Sequence, residues 1–452
     1  MKNKGSTSAV LVELPEQKLM QLTLPLAHFL RIEALGGVLL LAATLCALIL
    51  ANSPWSANFL AFWETPVGFQ VGPVEVNSNL KHVISDGVMT LFFFVVGLEI
   101  KRELALGELQ DIRAAALPGA AALGGMLVPA GIYLALQIGQ PGQSGWGVVM
   151  ATDIAFVVGC LALLGKRAPH SLRIFVLSLA IIDDIGAILV IAVGYAGSLE
   201  VWALWLGLSG VACVVAMQRL GVRAVPAYYI VGVLTWVAIY NSGVHPTIVG
   251  VVFGLLTPAR PWVGEQRFQM LISRLSVYLR PDIDQRGEDD RVARNDLMRG
   301  VAFAARETLS PLERIEAALH PWVSIAIMPL FAFANAGVPL TLAGLTEPVS
   351  LAVIAGLVFG KPIGILLACW LAVRLGVAIR QPDLKWSVIF SAGVLCGIGF
   401  TMSIFIATLA FDASALAAAK LGILAASLLA ALVGQCLLLL TCPRPPAEPE
   451  AS

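Results

Sequence analysis

Asp183 and Asp184 stand side by side in an apolar stretch, Ile174 to Leu199, that holds no other charged residue and is long enough to cross a bilayer. Each ionised side chain near the centre of a spanning helix costs roughly 2.5 to 3.5 kcal/mol on insertion scales, and two together also repel each other. Helix packing does not require them, so the pair reads as an ion or proton site. Three further runs carry unusual groups. Thr152-Asp153, after the glycine-rich Gly145-Trp146-Gly147, puts a hydroxyl and a carboxylate in mid-span, and Lys361, inside Phe359-Gly360-Lys361-Pro362, puts an ammonium in another. Gly397-Ile398-Gly399-Phe400-Thr401 interrupts the third, where unwound backbone survives only if protein or a cavity satisfies it. Carboxylates, a threonine hydroxyl and freed carbonyls are the oxygen ligands that a hard cation takes.

The elements that must position these groups are membrane helices. Hydrophobic residues make up 58% of the 452-residue chain and charged residues 13%, against about 25% charged in soluble domains. No stretch with soluble composition is long enough to be a separate domain. Apolar runs of spanning length occur at about 12 places, near 28–51, 80–100, 114–138, 145–165, 171–197, 201–218, 225–241, 243–257, 317–337, 348–374, 386–411 and 413–441. The second of these carries Asp86. Counted alternately from the N-terminus, the connecting segments place all but Lys81, Lys420 and the intramembrane Lys361 of the 29 Lys and Arg on one side. The positive-inside rule makes that side cytoplasmic, with both termini there. The formal net charge of zero gives no reason to expect a nucleic-acid partner.

The expected organisation is a cytoplasmic N-terminal segment over 1–27, a transmembrane domain over 28–441 and a cytoplasmic tail over 442–452. The long connection over 258–316 reads as cytoplasmic surface, since Pro258 to His320 mixes ten Arg with ten Asp or Glu. On the opposite side, 68–77 alternates apolar and polar residues around Gly72-Pro73, a β-hairpin signal. An exposed hairpin edge suits pairing with a second copy, so a homodimer is expected through it. The seven cysteines show no CxxC spacing and read as small hydrophobes. A polar N-terminus without a small-residue cleavage site gives no expectation of a removed signal peptide.

Two interrupted helices in corresponding halves are the best sequence pointer to a transporter's binding site. If both break and cross, their half-helix ends put partial positive and negative charge at the membrane midplane. Asp153 suits the positive ends and Lys361 the negative ends. Lys361 also offers one member of the aspartate pair a salt-bridge partner and leaves the other for a cation. Burial and like-charge repulsion favour a neutral carboxyl, so protons and a cation compete for one site. Alternating access of that site gives exchange without covalent chemistry.

The chain closely resembles the NhaA-type sodium/proton antiporters through FFFVVGLEIKREL at 92–104, ATDIAF at 151–156, IIDDIGAI at 181–188, GVHPTIVG at 243–250, PLFAFANAGV at 329–338, FGKPIGI at 359–365 and CGIGFTMSIFIA at 396–407. The similarity runs from about residue 30 to 440. It implies an all-α membrane fold of inverted repeats with two interrupted, crossing helices and a small periplasmic β-hairpin, in the inner membrane of a bacterium. It also implies that Asp184, Asp153 and Thr152 bind sodium and that Asp183 pairs with Lys361. Glu99, Arg102, Glu103, Glu316 and His320 match the family's cytoplasmic pH-response cluster, and His245 is the motif histidine. Gly397 and Gly399 mark the helix break. The transported ions are sodium or lithium and protons, the surrounding partner is lipid, and no cofactor is expected. The exchange is electrogenic if two protons move per sodium.

The chain departs from the familiar pattern in three places. The 258–316 connection is longer than usual, Ala317 follows Glu316 where a histidine is usual, and Pro246 replaces a small residue after His245. Other readings stand beside these. A lone intramembrane Asp86 also suits helix packing, charges at 99–103 also suit a solvated helix end, and His245 also suits a structural role. An intramembrane aspartyl protease would need a GxGD arrangement, which neither Asp153 nor Asp184 has. A sodium-coupled solute symporter would need a larger polar cavity, and Lys361 favours proton coupling instead.

Overall fold

A computed structural model describes residues 33–71, 74–107, 110–195, 197, 199–222, 225–261, 269–270, 272–273, 298–304, 307 and 309–442. The expected segment over 1–27, the expected 442–452 tail beyond Cys442, most of 258–316 and the hairpin tip at Gly72-Pro73 lie outside these residues.

The fold is helical, with a single two-stranded sheet among the described residues. In chain order the helices are α1 (Glu33–Ala51), α2 (Ser56–Trp63), α3 (Leu80–Leu106), α4 (Ile112–Gln137), a 3₁₀ helix (Pro141–Val149), α5 (Ile154–Leu163), α6 (His170–Gly194), α7 (Val201–Arg219), α8 (Val225–Tyr240) and α9 (Thr247–Leu256). They continue with α10 (Pro311–Asn335), α11 (Pro348–Arg374), α12 (Trp386–Leu395), α13 (Phe400–Ala410) and α14 (Ala413–Thr441). Among the described residues seven helices are long and apolar enough to cross a membrane, or up to ten if each of three bent pairs is one span. The bent pairs are α1 with α2, turned by 118°, the 3₁₀ helix with α5, turned by 45°, and α12 with α13, turned by 52°.

The apolar surfaces fit a lipid surrounding. Trp202, Trp205, Leu206, Tyr229, Ile230, Val233 and Leu234 are exposed on α7 and α8, a density of bare hydrophobes that a monomer in water rarely carries. Not every run has spanning length. The ten residues of α9 rise about 15 Å, half the hydrocarbon thickness of about 30 Å. α10 also starts earlier than the boundary expected at 317. Ser310 and Glu313 form a reciprocal capping box that satisfies the first-turn donors and starts the helix at Pro311.

Close backbone approach holds the middle of the bundle together. α4 and α11 touch through Gly124 and Gly364, where a Cβ on either would collide with the other's carbonyl. Gly360 is similarly tight, since its Cβ would stand 2.8 Å from Pro129 Cα. Lys361 follows a π-helical turn at Ala355–Gly360, the kind of widening that lets a helix carry Pro362 without breaking. The sheet is an antiparallel hairpin of β1 (Pro66–Val71) and β2 (Val74–Asn79), in register from Pro66 opposite Asn79 to Val71 opposite Val74. It is slightly longer than the expected 68–77.

Candidate ion-binding site

The two broken spans meet at their breaks. On one side the chain leaves the helix at Met150 and re-enters it at Ile154; on the other it leaves at Cys396 and re-enters at Phe400. Asp153 N donates to the Ile398 carbonyl at 2.8 Å and Thr152 Oγ1 to the Cys396 carbonyl at 3.0 Å. Ser403 Oγ donates to the Val148 carbonyl at 2.6 Å. Each break thus satisfies the other's free backbone groups, which is the condition for non-helical backbone at membrane depth. The glycines serve this contact. A Cβ on Gly397 would stand 2.5 Å from the Leu357 carbonyl oxygen, and one on Gly399 would strike Ser403 Oγ. Neither glycine is among the positive-φ residues, so close approach, rather than a left-handed backbone, is what requires them.

Charge follows the helix ends. Asp153 is the N-cap of α5, accepting from Phe156 N at 3.1 Å through Oδ1, and it also reaches the N-terminus of α13 through Oδ2, which accepts from Thr401 N at 3.1 Å and Thr401 Oγ1 at 2.5 Å. A carboxylate is favourable at both positive ends. At the negative end of the 3₁₀ helix, Lys361 Nζ donates to the Met150 carbonyl, and it lies 2.8 Å from Asp183 Oδ2. Asp153, Thr152, Asp183, Thr401 and Lys361 are all fully buried.

Asp184 differs from its neighbours. It is 2% exposed, and neither carboxylate oxygen has a hydrogen-bond donor among the described residues. Asp183, Glu99, Asp153 and Lys361 all act on it electrostatically. A buried carboxyl with no donor is what a proton or a bound cation would complete.

The other candidate residues fall in two places. Glu99, Arg102 and Glu103 on α3 meet Glu316 and His320 on α10, with Arg102 2.5 Å from Glu316, 3.8 Å from Glu103, and His320 3.9 Å from Glu99. Glu99 is the member of this cluster whose charge bears on Asp184, and the two stand on the packed helices α3 and α6. His245 stands apart from the cluster, between α8 and α9, with its ring 5.7 Å from Phe405 of α13. Asp86 lies on a π-helical turn at Ile84–Val88, and its carbonyl accepts from Thr90 Oγ1, which in turn accepts from Trp236 Nε1. Nothing in the sequence pattern singles out the Met150 and Cys396 carbonyls, and the one signal for Thr401 is its place directly after Gly397–Phe400.

Comparison with known proteins bears on this arrangement. The family described as Na+/H+ antiporter 1 matches residues 27–438. The chain belongs to the NhaA family of Na+/H+ antiporters. It is 54% identical over 426 residues to Na(+)/H(+) antiporter NhaA 2 of Acidiphilium cryptum, covering 94% of each chain. It is 54% identical over 434 residues to Na(+)/H(+) antiporter NhaA of Rhizobium meliloti, covering 96% of this chain and 98% of that one. The same name belongs to a Rhodopirellula baltica protein that is 51% identical over 432 residues. This NhaA chain is therefore a multi-pass membrane transporter that exchanges sodium and protons.

Proposed function

We propose that this NhaA antiporter expels cytoplasmic sodium or lithium in exchange for external protons, with Asp184 as the carboxyl that alternates between the two. The observation that carries this reading is the pair of buried Asp184 oxygens without donors among the described residues, beside Asp153 at two helix N-termini and the Lys361–Asp183 pair. Asp153 and Thr152 complete the cation's oxygen shell as the crossing helices shift, while Lys361 and Asp183 neutralise each other and couple to protons. Two protons per sodium make the cycle electrogenic, and 100 mV then adds roughly 2.3 kcal/mol for each net charge moved.

The finer architecture belongs to the same proposal. Counting the three bent pairs and the two shorter helices, α8 and α9, as spans gives twelve. An even number puts both termini on one side, the cytoplasmic side by the Lys and Arg distribution, with inverted repeats in a bacterial inner membrane. The 68–77 hairpin is then periplasmic and pairs two copies into a homodimer. The Glu99, Arg102, Glu103, Glu316 and His320 cluster and His245 adjust the pH response. The 1–27 and 442–452 segments and the 258–316 connection are cytoplasmic.

Dequenching of a pH-sensitive dye in acidified everted vesicles tests the reading. Sodium or lithium should release protons from vesicles carrying the native chain, potassium should not, and Asp184→Asn should abolish the response. A normal sodium response from inserted Asp184→Asn protein would refute it.

A further inference from the structure

We propose that Thr401 is a further oxygen donor to the transported cation and sets its preference between sodium and lithium; the inference rests on the Asp184-centred site proposed above. A hydroxyl carries one proton and two lone pairs. Thr44, Thr235 and Thr441 all donate that proton to the carbonyl four residues back, the usual use of a helical threonine. Thr401 does not. Its Oγ1 donates across the crossing to Asp153 Oδ2 at 2.5 Å, and its backbone N donates to the same oxygen at 3.1 Å.

Two consequences follow from that geometry. The proton is committed to the carboxylate, so the lone pairs of Oγ1 are the part of the hydroxyl left for a cation, and no donor to Oγ1 exists among the described residues. Furthermore, the oxygen lies on α13 whereas Thr152 and Asp153 lie on the other broken span, so a cation held by Asp153 and Thr401 bridges the two breaks. Carboxylate, hydroxyl and carbonyl oxygens are the donor set of a small hard cation. A fixed hydroxyl at a fully buried position sets the size of the shell, which separates lithium from sodium.

The test compares Thr401→Val, Thr401→Ala and Thr401→Ser with the native chain in proteoliposomes at one fixed pH, measuring apparent KM and maximal rate for sodium and for lithium. Thr401→Val and Thr401→Ala should raise the sodium KM about tenfold, change the sodium-to-lithium ratio of KM values, and leave the maximal rate within about twofold. Thr401→Ser should stay near native on all three. An unchanged sodium KM in Thr401→Ala overturns the proposal. So does an equal rise for both ions together with a fall in maximal rate, which is the pattern of a hydroxyl that only positions Asp153. Asp184→Asn separates the two levels. If that variant still saturates with sodium at native KM, the site reading fails; if it loses sodium dependence while Thr401→Val and Thr401→Ala keep native KM values, only the Thr401 inference fails.

Discussion

Removing Lys361 should destabilise the protein through one identifiable pair, and a double-mutant cycle measures it. Lys361 Nζ makes two contacts, to Asp183 Oδ2 at 2.8 Å and to the Met150 carbonyl, and both Lys361 and Asp183 are 0% exposed. Breaking a fully buried ion pair by deleting one partner costs about 3–5 kcal/mol, because the remaining charge stays buried without compensation. Lys361→Ala and Asp183→Asn should each cost about that much. In the double variant neither charge remains, and the residual cost is an unsatisfied Met150 carbonyl, about 1–3 kcal/mol. The double variant should therefore be more stable than the sum of the singles requires, with a coupling of at least about 2 kcal/mol. Reversible unfolding in detergent, followed at a fixed pH where the native chain is most stable, gives all four free energies. Additivity to within about 0.5 kcal/mol would refute the pairing as the source of the Lys361 effect.

Other outcomes follow from the same geometry. Asp153→Asn should abolish sodium-driven proton release and also lower stability, since this carboxylate holds the N-terminal ends of both α5 and α13; vesicle assays and thermal unfolding read the two effects separately, and native behaviour in both would remove Asp153 from the site. Deleting 68–77 should give active monomers, and unchanged dimer content by light scattering would rule out the hairpin as the contact. Apparent sodium affinity should weaken as pH falls from 9 to 6, because protons and sodium compete by mass action. Glu316→Gln or Ala317→His should move that profile less than Lys361→Arg, since Arg102 is 42% exposed and its pairing with Glu316 is screened by solvent. A larger displacement from Ala317→His would make the α3–α10 cluster the dominant control.

What could be read from the sequence follows from the cost of each residue. Charges inside apolar runs are expensive, so Asp153, Asp183, Asp184 and Lys361 stood out one by one, and glycines in mid-span marked the second break. The hairpin was legible from alternation around Gly72-Pro73. The pairwise geometry was less accessible. Thr401 meets Asp153 across 248 residues of chain, and an apolar run containing a threonine looks the same whether its hydroxyl serves its own helix or a distant carboxylate. Gly397 and Gly399 looked like flexible positions, but neighbouring backbone and side-chain atoms are what exclude a side chain there. Hydropathy likewise could not distinguish a full span from the ten-residue α9, nor foresee the 118° turn between α1 and α2. The proximity of Glu99 to Asp184 also depends on how α3 packs against α6, which no local pattern encodes.

The central claim is that sodium and protons occupy the same buried carboxyl. Isothermal titration of sodium into the purified protein, repeated at one pH in buffers of different ionisation enthalpy, counts the protons released as each ion binds. The account predicts that sodium binding releases protons in the native chain and that both the heat of binding and the proton release vanish in Asp184→Asn. Sodium binding with no buffer dependence, or undiminished binding to Asp184→Asn, would contradict it.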